Sequence, residues 1–398
     1  MSRAVLAPSD VTRASSGRAT LGGRVLVSSP SGFVLADAFA RVTVSGKGLA
    51  AEPGELVVVS GRLARGSLRD AKLVERTHAP LPRGDGEVAR FTLEGTATRL
   101  RERAQVLAEI RAFFSEQSFL EVQTPIRVRA PGVDSHVDAI ASAGRYLITS
   151  PELAHKRLLV GGLPRIFELA RVLRADERGA LHEPEFLLLE WYRAFAGYEA
   201  ILADTEALIV RVARRVRGRA ELVAPGGKKL SLRRPFPRVS VRDAFRRYAG
   251  VNDAVALAAS DESRYFELLV GRVEPALAKL DRPVFLVDYP LSQAALARPS
   301  VRDPSVAERF ELYAGGVELS NGYGELTDPA EQARRFRAER AARRSDGRRV
   351  YPTDQRFLRA LREGMPNAGG NALGVDRLVM LVTGAARIGD VIAFPSEE

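Results

Sequence analysis

The segment "ELYAGGVELSNGYGELTD", residues 311–328, gathers Glu311, Glu318 and Glu325 around a Gly-Gly pair. Carboxylates at this density can hold a hard cation, or they can form a polar hairpin edge in water. If Gly315 and Gly316 make a two-residue turn, Ala314 faces Val317, Tyr313 faces Glu318 and Glu311 faces Ser320. Glu311, Tyr313, Glu318 and Ser320 then share one face. The two glutamates become diagonal neighbours at roughly 7 Å, a pairing that repels unless both are solvated or a cation lies between them. Asn321 and Glu325 follow past Gly322 and Gly324, where the backbone can bend to aim them at the same place.

Three other stretches carry residues suited to chemistry. "IFELARVLRADERGALHEPEFLLLEWYRAF" reads as strand, polar loop, strand. Period two on the second strand puts Phe186, Leu188, Glu190 and Tyr192 on one face and Leu187, Leu189 and Trp191 on a core face. Glu190 there meets either a ligand or a neighbouring arginine. Arg174 and Arg178 in the loop offer planar forks suited to phosphate, or are solvated. "TSPELAHKRLL" opens a helix with Ser150 as cap, Pro151 in the first helical position and Glu152 complementing the helix dipole. In "GGNALGVDRLVMLVTG", Gly374 marks a strand-to-helix junction. Arg377 stands in the first helical turn against the dipole preference, either beside an anionic or aromatic partner or at the surface.

The elements that must position these residues fall into two domains, since 398 residues exceed one ordinary core. Residues 15–80 hold five strand-like segments between Gly, Pro and Ser turns, which suggest an OB-like β-barrel. Phe33 in its second strand either fills the interior or stacks a base. Residues 81–98 read as a Pro/Gly-rich linker, and 99–398 as an α+β domain, an antiparallel sheet flanked by helices. Its first helix spans 99–117, followed by the extended "FLEVQTP" ending at Pro125. With no cysteine and with His78, His136, His155 and His182 at no zinc spacing, any metal is expected to be a hard cation on carboxylates. No apolar run fits a signal peptide or a membrane span, so a cytoplasmic protein is expected, with no membrane partner. The net charge of +11 favours polyanions. Its densest run, "RRFRAERAARRSDGRR", fits a solvated helix face or a phosphate contact.

Together these motifs resemble a class II aminoacyl-tRNA synthetase core of the lysyl type. "FLEVQTP" resembles motif 1 with its dimerising proline, "ARVLRADERGALHEPEF" motif 2 and "GNALGVDRLVM" motif 3. "TSPEL", "LEWY" and "ELSNGYGELTD" resemble the lysine-pocket segments. "HEPEFLLLEWYRAF", "YPLSQAALA" and "DVIAF" look most like the elongation factor P lysine lysyltransferases, synthetase paralogues that adenylate (R)-β-lysine and transfer it to a lysine of that factor. The resemblance implies ATP and Mg²⁺, with Arg174 on the α-phosphate and Phe186 and Arg377 sandwiching the adenine. Arg174, Ala175, Asp176, His182, Glu183, Glu318, Leu319 and Gly374 would complete the nucleotide site. Glu311 and Glu318 would hold the metal, and Arg174 and Arg377 would be catalytic. Ser150, Pro151, Glu152, Glu190, Tyr192, Asn321 and Glu325 would hold the amino acid.

The chain departs from the family pattern at Ala175 and Asp176, where Asn-Glu is usual, and at Glu183, where Asn is usual. Ser320 replaces the glycine typical of the synthetases and the alanine typical of the lysyltransferases. Three functions stand: a lysyltransferase acting on elongation factor P, a lysine–tRNA ligase using the barrel, and a non-catalytic RNA- or protein-binding paralogue. Dimerisation follows from the motif 1 resemblance alone.

Overall fold

The computed structural model describes residues 4–12, 14–132 and 137–396, so His136 lies outside the described residues. The chain divides into two compact units, Met1–Arg101 and Glu102–Glu398.

In the first unit, strands Gly17–Ser29, Gly32–Ala36, Arg41–Ser45, Leu56–Ala64 and Ser67–Thr77 form a five-stranded barrel of OB-like type. The first strand pairs antiparallel with both the second and the fourth, and a single parallel contact, Val44 to Leu68, closes the gap between the third and fifth. Alternation along these strands sends Leu21, Val25, Val42, Val44 and Val59 inward. Phe33 joins them at 3% exposure, so the base-stacking alternative falls and the interior reading holds.

The second unit is α+β, built on an eight-stranded sheet flanked by helices. Its strand order is Arg238–Ser240, Val284–Pro290, Val306–Ala314, Val317–Gly324, Ala368–Gly374, Glu185–Ala194, Arg165–Leu173 and Leu120–Glu121. The interior pairs are antiparallel, and only the two outermost pairs run parallel. On one sheet face Leu189, Trp191, Leu312 and Leu373 pack against helices Tyr198–Arg217 and Val375–Thr383. The apolar stripe Ile201, Leu202, Leu208, Ile209 and Val212 directs the first of these helices inward, and Gly218 ends it at φ +72°. The opposite sheet face carries the polar residues described below.

The first helix runs Thr96–Glu116, entering three residues before the sequence expectation, and a wide helical turn, Ala89–Leu93, occupies part of the expected linker. The basic run lies on helix Pro329–Ser345 and beyond, and neither a solvated face nor a phosphate contact describes all of it. Arg335 is buried, donating to the carbonyls of Ala294 and Ala297, while Arg343 and Arg348 both pair with Asp138. These three arginines brace the interior, while Arg334, Arg337, Arg344 and Arg349 are exposed, as a solvated face expects.

Phe114 is fully buried, stacked on Phe167 with ring centroids 4.8 Å apart and edged by Phe113 and Phe119. Phe114→Ala is expected to lower the stability of the second unit by about 3–5 kcal/mol, read as an earlier urea midpoint with little change in the barrel's own transition.

Candidate functional site

The site is a row of polar side chains set by strand register. Glu168, Glu190, Ala372, Asn321 and Glu311 are successive cross-strand partners over five adjacent strands. The next row holds Tyr192, Gly370, Tyr323 and Arg309. The alternation read from "FLLLEWY" therefore holds, with Glu190 and Tyr192 on the site face and Leu189 and Trp191 in the core.

The hairpin needs a correction. Ala314 does face Val317 and Tyr313 does face Glu318, but a β-bulge at Leu319 then shifts the register. Glu311 faces Asn321 instead of Ser320, and Ser320 faces Leu312. The extra residue separates Ser320 from the glutamate row. Its hydroxyl is buried without a hydrogen-bond partner.

A cavity of about 450 Å³ opens over this face. Ser150, Glu152, Arg174, His182, Glu183, Phe186, Glu190, Tyr192, Glu311, Glu318, Leu319, Asn321, Gly374 and Arg377 line it, together with Ser320. Pro151, Ala175, Asp176 and Glu325 do not. Pro151 caps helix Glu152–Val160, one residue later than expected. The Ala175 amide is turned to the Asp138 carbonyl, and Asp176 takes a left-handed backbone at φ +62°. Glu325 lies beneath the cavity wall, fully buried.

At one end of the cavity sit Arg174, Phe186, His182, Glu318 and Arg377. The Arg174 guanidinium lies 5.1 Å from the Phe186 ring centroid. Arg377 donates to the Glu318 carbonyl at 2.7 Å and the Leu181 carbonyl at 3.2 Å, and it meets His182 Nε2 at 2.7 Å. Burial and the Arg377 charge push the His182 pKa down, so its ring stays neutral and accepts that hydrogen bond. Helix Val375–Thr383 is fixed at its start by Asp376, which accepts the Leu187 amide at 2.7 Å and pairs with Arg103. Glu183 accepts the Ser396 amide at 3.0 Å, so its charge is already engaged by backbone.

The carboxylates differ in how their charge is met. Glu311 is enclosed: Arg309 reaches Oε1 at 2.5 Å, and the hydroxyls of Tyr289 and Tyr313 donate to Oε2 at 2.5 and 2.7 Å. Glu318 has no cation nearer than Arg377 at 3.7 Å among the described residues. Surrounding protein and the neighbouring Glu311 charge push its pKa up to about 7, although its tip opens to the cavity. A divalent cation would relieve that strain. Glu311 keeps a second lone pair on Oε1 for it, so the pair fits a hard cation completed by oxygen ligands from a substrate.

At the other end, Lys156 enters from helix Glu152–Val160, its ammonium 2.7 Å from Glu152 and 2.6 Å from Glu325. Burial holds the Glu325 pKa up at about 7 even against Lys156, with Glu152 adding repulsion. Ser150 accepts the Glu152 amide as a cap would and donates to Glu190 Oε1 at 2.5 Å, and Tyr192 donates to Glu190 Oε2 at 3.0 Å. Gly370 is required here, since a Cβ would stand 2.3 Å from the Tyr192 ring and 2.5 Å from Glu325 Oε1. Sequence reasoning missed Lys156 and His155. The i,i+4 spacing of Glu152 and Lys156 was the available signal for the first.

The fold and site set a cluster of carboxylates at one end of the cavity and two arginines, Arg174 and Arg377, at the other, in an antiparallel α+β core. Residues 87–398 match the family model described as tRNA synthetases class II (D, K and N). The chain is 34% identical over 427 aligned residues to a lysine–tRNA ligase of Ectopseudomonas mendocina (strain ymp), covering 94% of this chain and 84% of that protein. It therefore belongs to the class II tRNA synthetases of the D, K and N group, ATP-dependent amino-acid ligases.

Removing the buried ammonium leaves Glu152 and Glu325 facing each other, so Lys156→Met is expected to cost about 3–5 kcal/mol of stability. Both carboxyls would then prefer the protonated form, which the native state takes up and the unfolded state releases. The loss should therefore be larger at pH 8 than at pH 5.5, measured by urea unfolding at each pH.

Proposed function

We propose that the protein activates lysine or (R)-β-lysine as an adenylate and transfers it to a lysine side chain of elongation factor P. One observation carries the choice of amino acid. Four carboxylates, the buried Glu168, Glu190 and Glu325 and the half-buried Glu152, contact two cations of the chain, Lys156 and His155, which leaves two formal negative charges for a ligand with two ammonium groups. The identity to a lysine–tRNA ligase supports the same reading.

In this reading Glu152, Glu190, Tyr192 and Asn321 receive the ammonium groups, with Ser150 and Pro151 shaping the wall and Glu325 acting through Lys156. Arg174 and Arg377 neutralise the phosphates, Phe186 and Arg377 enclose the adenine, and His182, Leu319 and Gly374 line the nucleotide. The amino acid's carboxylate oxygen attacks the α-phosphorus, and the bond to pyrophosphate breaks. No protein base is needed, because the nucleophile is already ionised, so the residues contribute position and charge. Mg²⁺ on Glu311 and Glu318 would neutralise phosphate charge.

The wording of "HEPEFLLLEWYRAF" and "YPLSQAALA" supports the protein acceptor. A second reading, transfer to tRNA, is favoured by the barrel, where exposed Arg18, Arg62 and Arg69 fall in register across three adjacent strands. A homodimer through the segment near Pro125 belongs to either reading.

ATP–pyrophosphate exchange with (S)-lysine and (R)-β-lysine, followed by transfer to purified elongation factor P or tRNA, separates them. Exchange with one of these amino acids and labelling of the factor is expected, and efficient charging of tRNA with an unlabelled factor would overturn the acceptor. Because protons compete for Glu318, apparent magnesium affinity should fall about tenfold per pH unit below pH ~7. Glu318→Gln should nearly abolish exchange while leaving the urea midpoint in place. An unchanged magnesium dependence in that variant would sink the metal assignment.

A further inference from the structure

Glu168 and Glu190 stand directly opposite each other on adjacent antiparallel strands, at 5% and 1% exposure. Like charges in that register repel, and burial removes the water that would screen them. The chain places His155 between them. It comes from helix Glu152–Val160 and is fully buried, with Nε2 2.7 Å from Glu168 Oε2 and Nδ1 3.5 Å from Glu190 Oε2. Its ring meets Tyr192 edge-on at 5.4 Å between centroids.

The other ends of this chain of contacts are anchored. Glu168 Oε1 accepts the Thr124 amide at 3.0 Å, next to Pro125, and Glu190 is held by Ser150 and Tyr192. Ser150, Glu190 and Tyr192 line the cavity, whereas His155 and Glu168 do not. Whatever His155 does for a ligand, it does through Glu190.

We propose that His155 is a positioning residue: as an imidazolium held between paired glutamates, it keeps Glu190 ionised and aimed at the ammonium of the amino acid. The proposal rests on the amino-acid pocket read above. An imidazolium directs an N–H toward each carboxylate, whereas a neutral ring would turn a lone pair on one of them. Burial opposes the charge, but contact with Glu168 and Glu190 outweighs it and lifts the His155 pKa to about 9. The titratable groups facing it are Glu168 on one strand, Glu190 and Tyr192 on the next, and Glu152 and Lys156 on its own helix, with Glu325 beyond Lys156. Helix Gln355–Gly364, packed against the same helix, sends Phe357, Leu358 and Leu361 into the shared cluster. With the folded pKa above the ordinary value of 6.5, the stability His155 contributes is complete below pH ~6.5 and lost as pH rises through about 9.

The test is pyrophosphate exchange by the full chain, with (S)-lysine and (R)-β-lysine as probes, from pH 6 to 8. Wild type is compared with His155→Leu, Glu168→Gln and Glu190→Gln. His155→Leu should raise the amino-acid KM at least about tenfold while the ATP KM stays within about twofold. Glu168→Gln removes one of the two anions, so the ring should lose its proton within the assay range. Its amino-acid KM, as a ratio to wild type, should then climb with pH. A role confined to packing would lower the thermal midpoint without tilting that ratio, and a flat ratio overturns the proposal even if His155→Leu fails to fold. A raised KM in Glu190→Gln beside an unaltered one in His155→Leu overturns the proposal alone. An unaltered KM in Glu190→Gln overturns the pocket reading and the proposal with it.

Discussion

Buried carboxylates on one face of a β-sheet are the constraint on which this structure turns. An ionised carboxylate without a partner in a dry interior is far too costly to keep, so each must find a cation or take a proton. The chain supplies close cations for five of them: Lys156 between Glu152 and Glu325, His155 between Glu168 and Glu190, and Arg309 on Glu311. Glu318 is the exception, with Arg377 at 3.7 Å and a pKa held up at about 7. The carboxylate whose charge the protein leaves incomplete is the one at the cavity end lined by Arg174 and Arg377.

Backbone geometry makes this crowding feasible. Antiparallel register turns single glutamates on three strands, with Asn321 and Ala372 between them, into one row, which no local sequence window displays. Small residues keep the row open: Ala372 lies between Glu190 and Asn321, and Gly370 leaves room for the Tyr192 ring and the Glu325 carboxylate. The bulge at Leu319 then frees Glu318 from the regular pleat, so that it approaches Arg377 while Asn321 stays in the row.

Much of this was legible in the residues. The period-two alternation of "FLLLEWY" placed Glu190 and Tyr192 correctly because a half-buried strand has no other way to sort its side chains. The two-glycine turn predicted the first pairs of the hairpin for the same kind of local reason. The bulge was not legible, since one extra residue leaves no mark on a strand pattern, and the pairing of Glu311 slipped by one. Lys156 and His155 looked like ordinary residues of an amphipathic helix. Their role appears only when that helix lies across the strands bearing Glu168, Glu190 and Glu325, a long-range relation outside any sequence motif. The basic run was legible only in part: Arg334, Arg337, Arg344 and Arg349 are solvated, but Arg335 and Arg343 spend their charge on carbonyls and Asp138 inside the fold.

The two ends of the cavity solve the same electrostatic problem in different ways. At the carboxylate-rich end the partners, Lys156 and His155, are covalently part of the chain, so the carboxylates are held in place before any ligand arrives and little reorganisation is left for binding. At the arginine-lined end Arg174 and Arg377 are positive groups without an anion fully engaged, and Glu318 is a negative group without a close cation. A polyphosphate carrying its own divalent cation would meet both charges at once, whereas neither the anion nor the cation alone would do so.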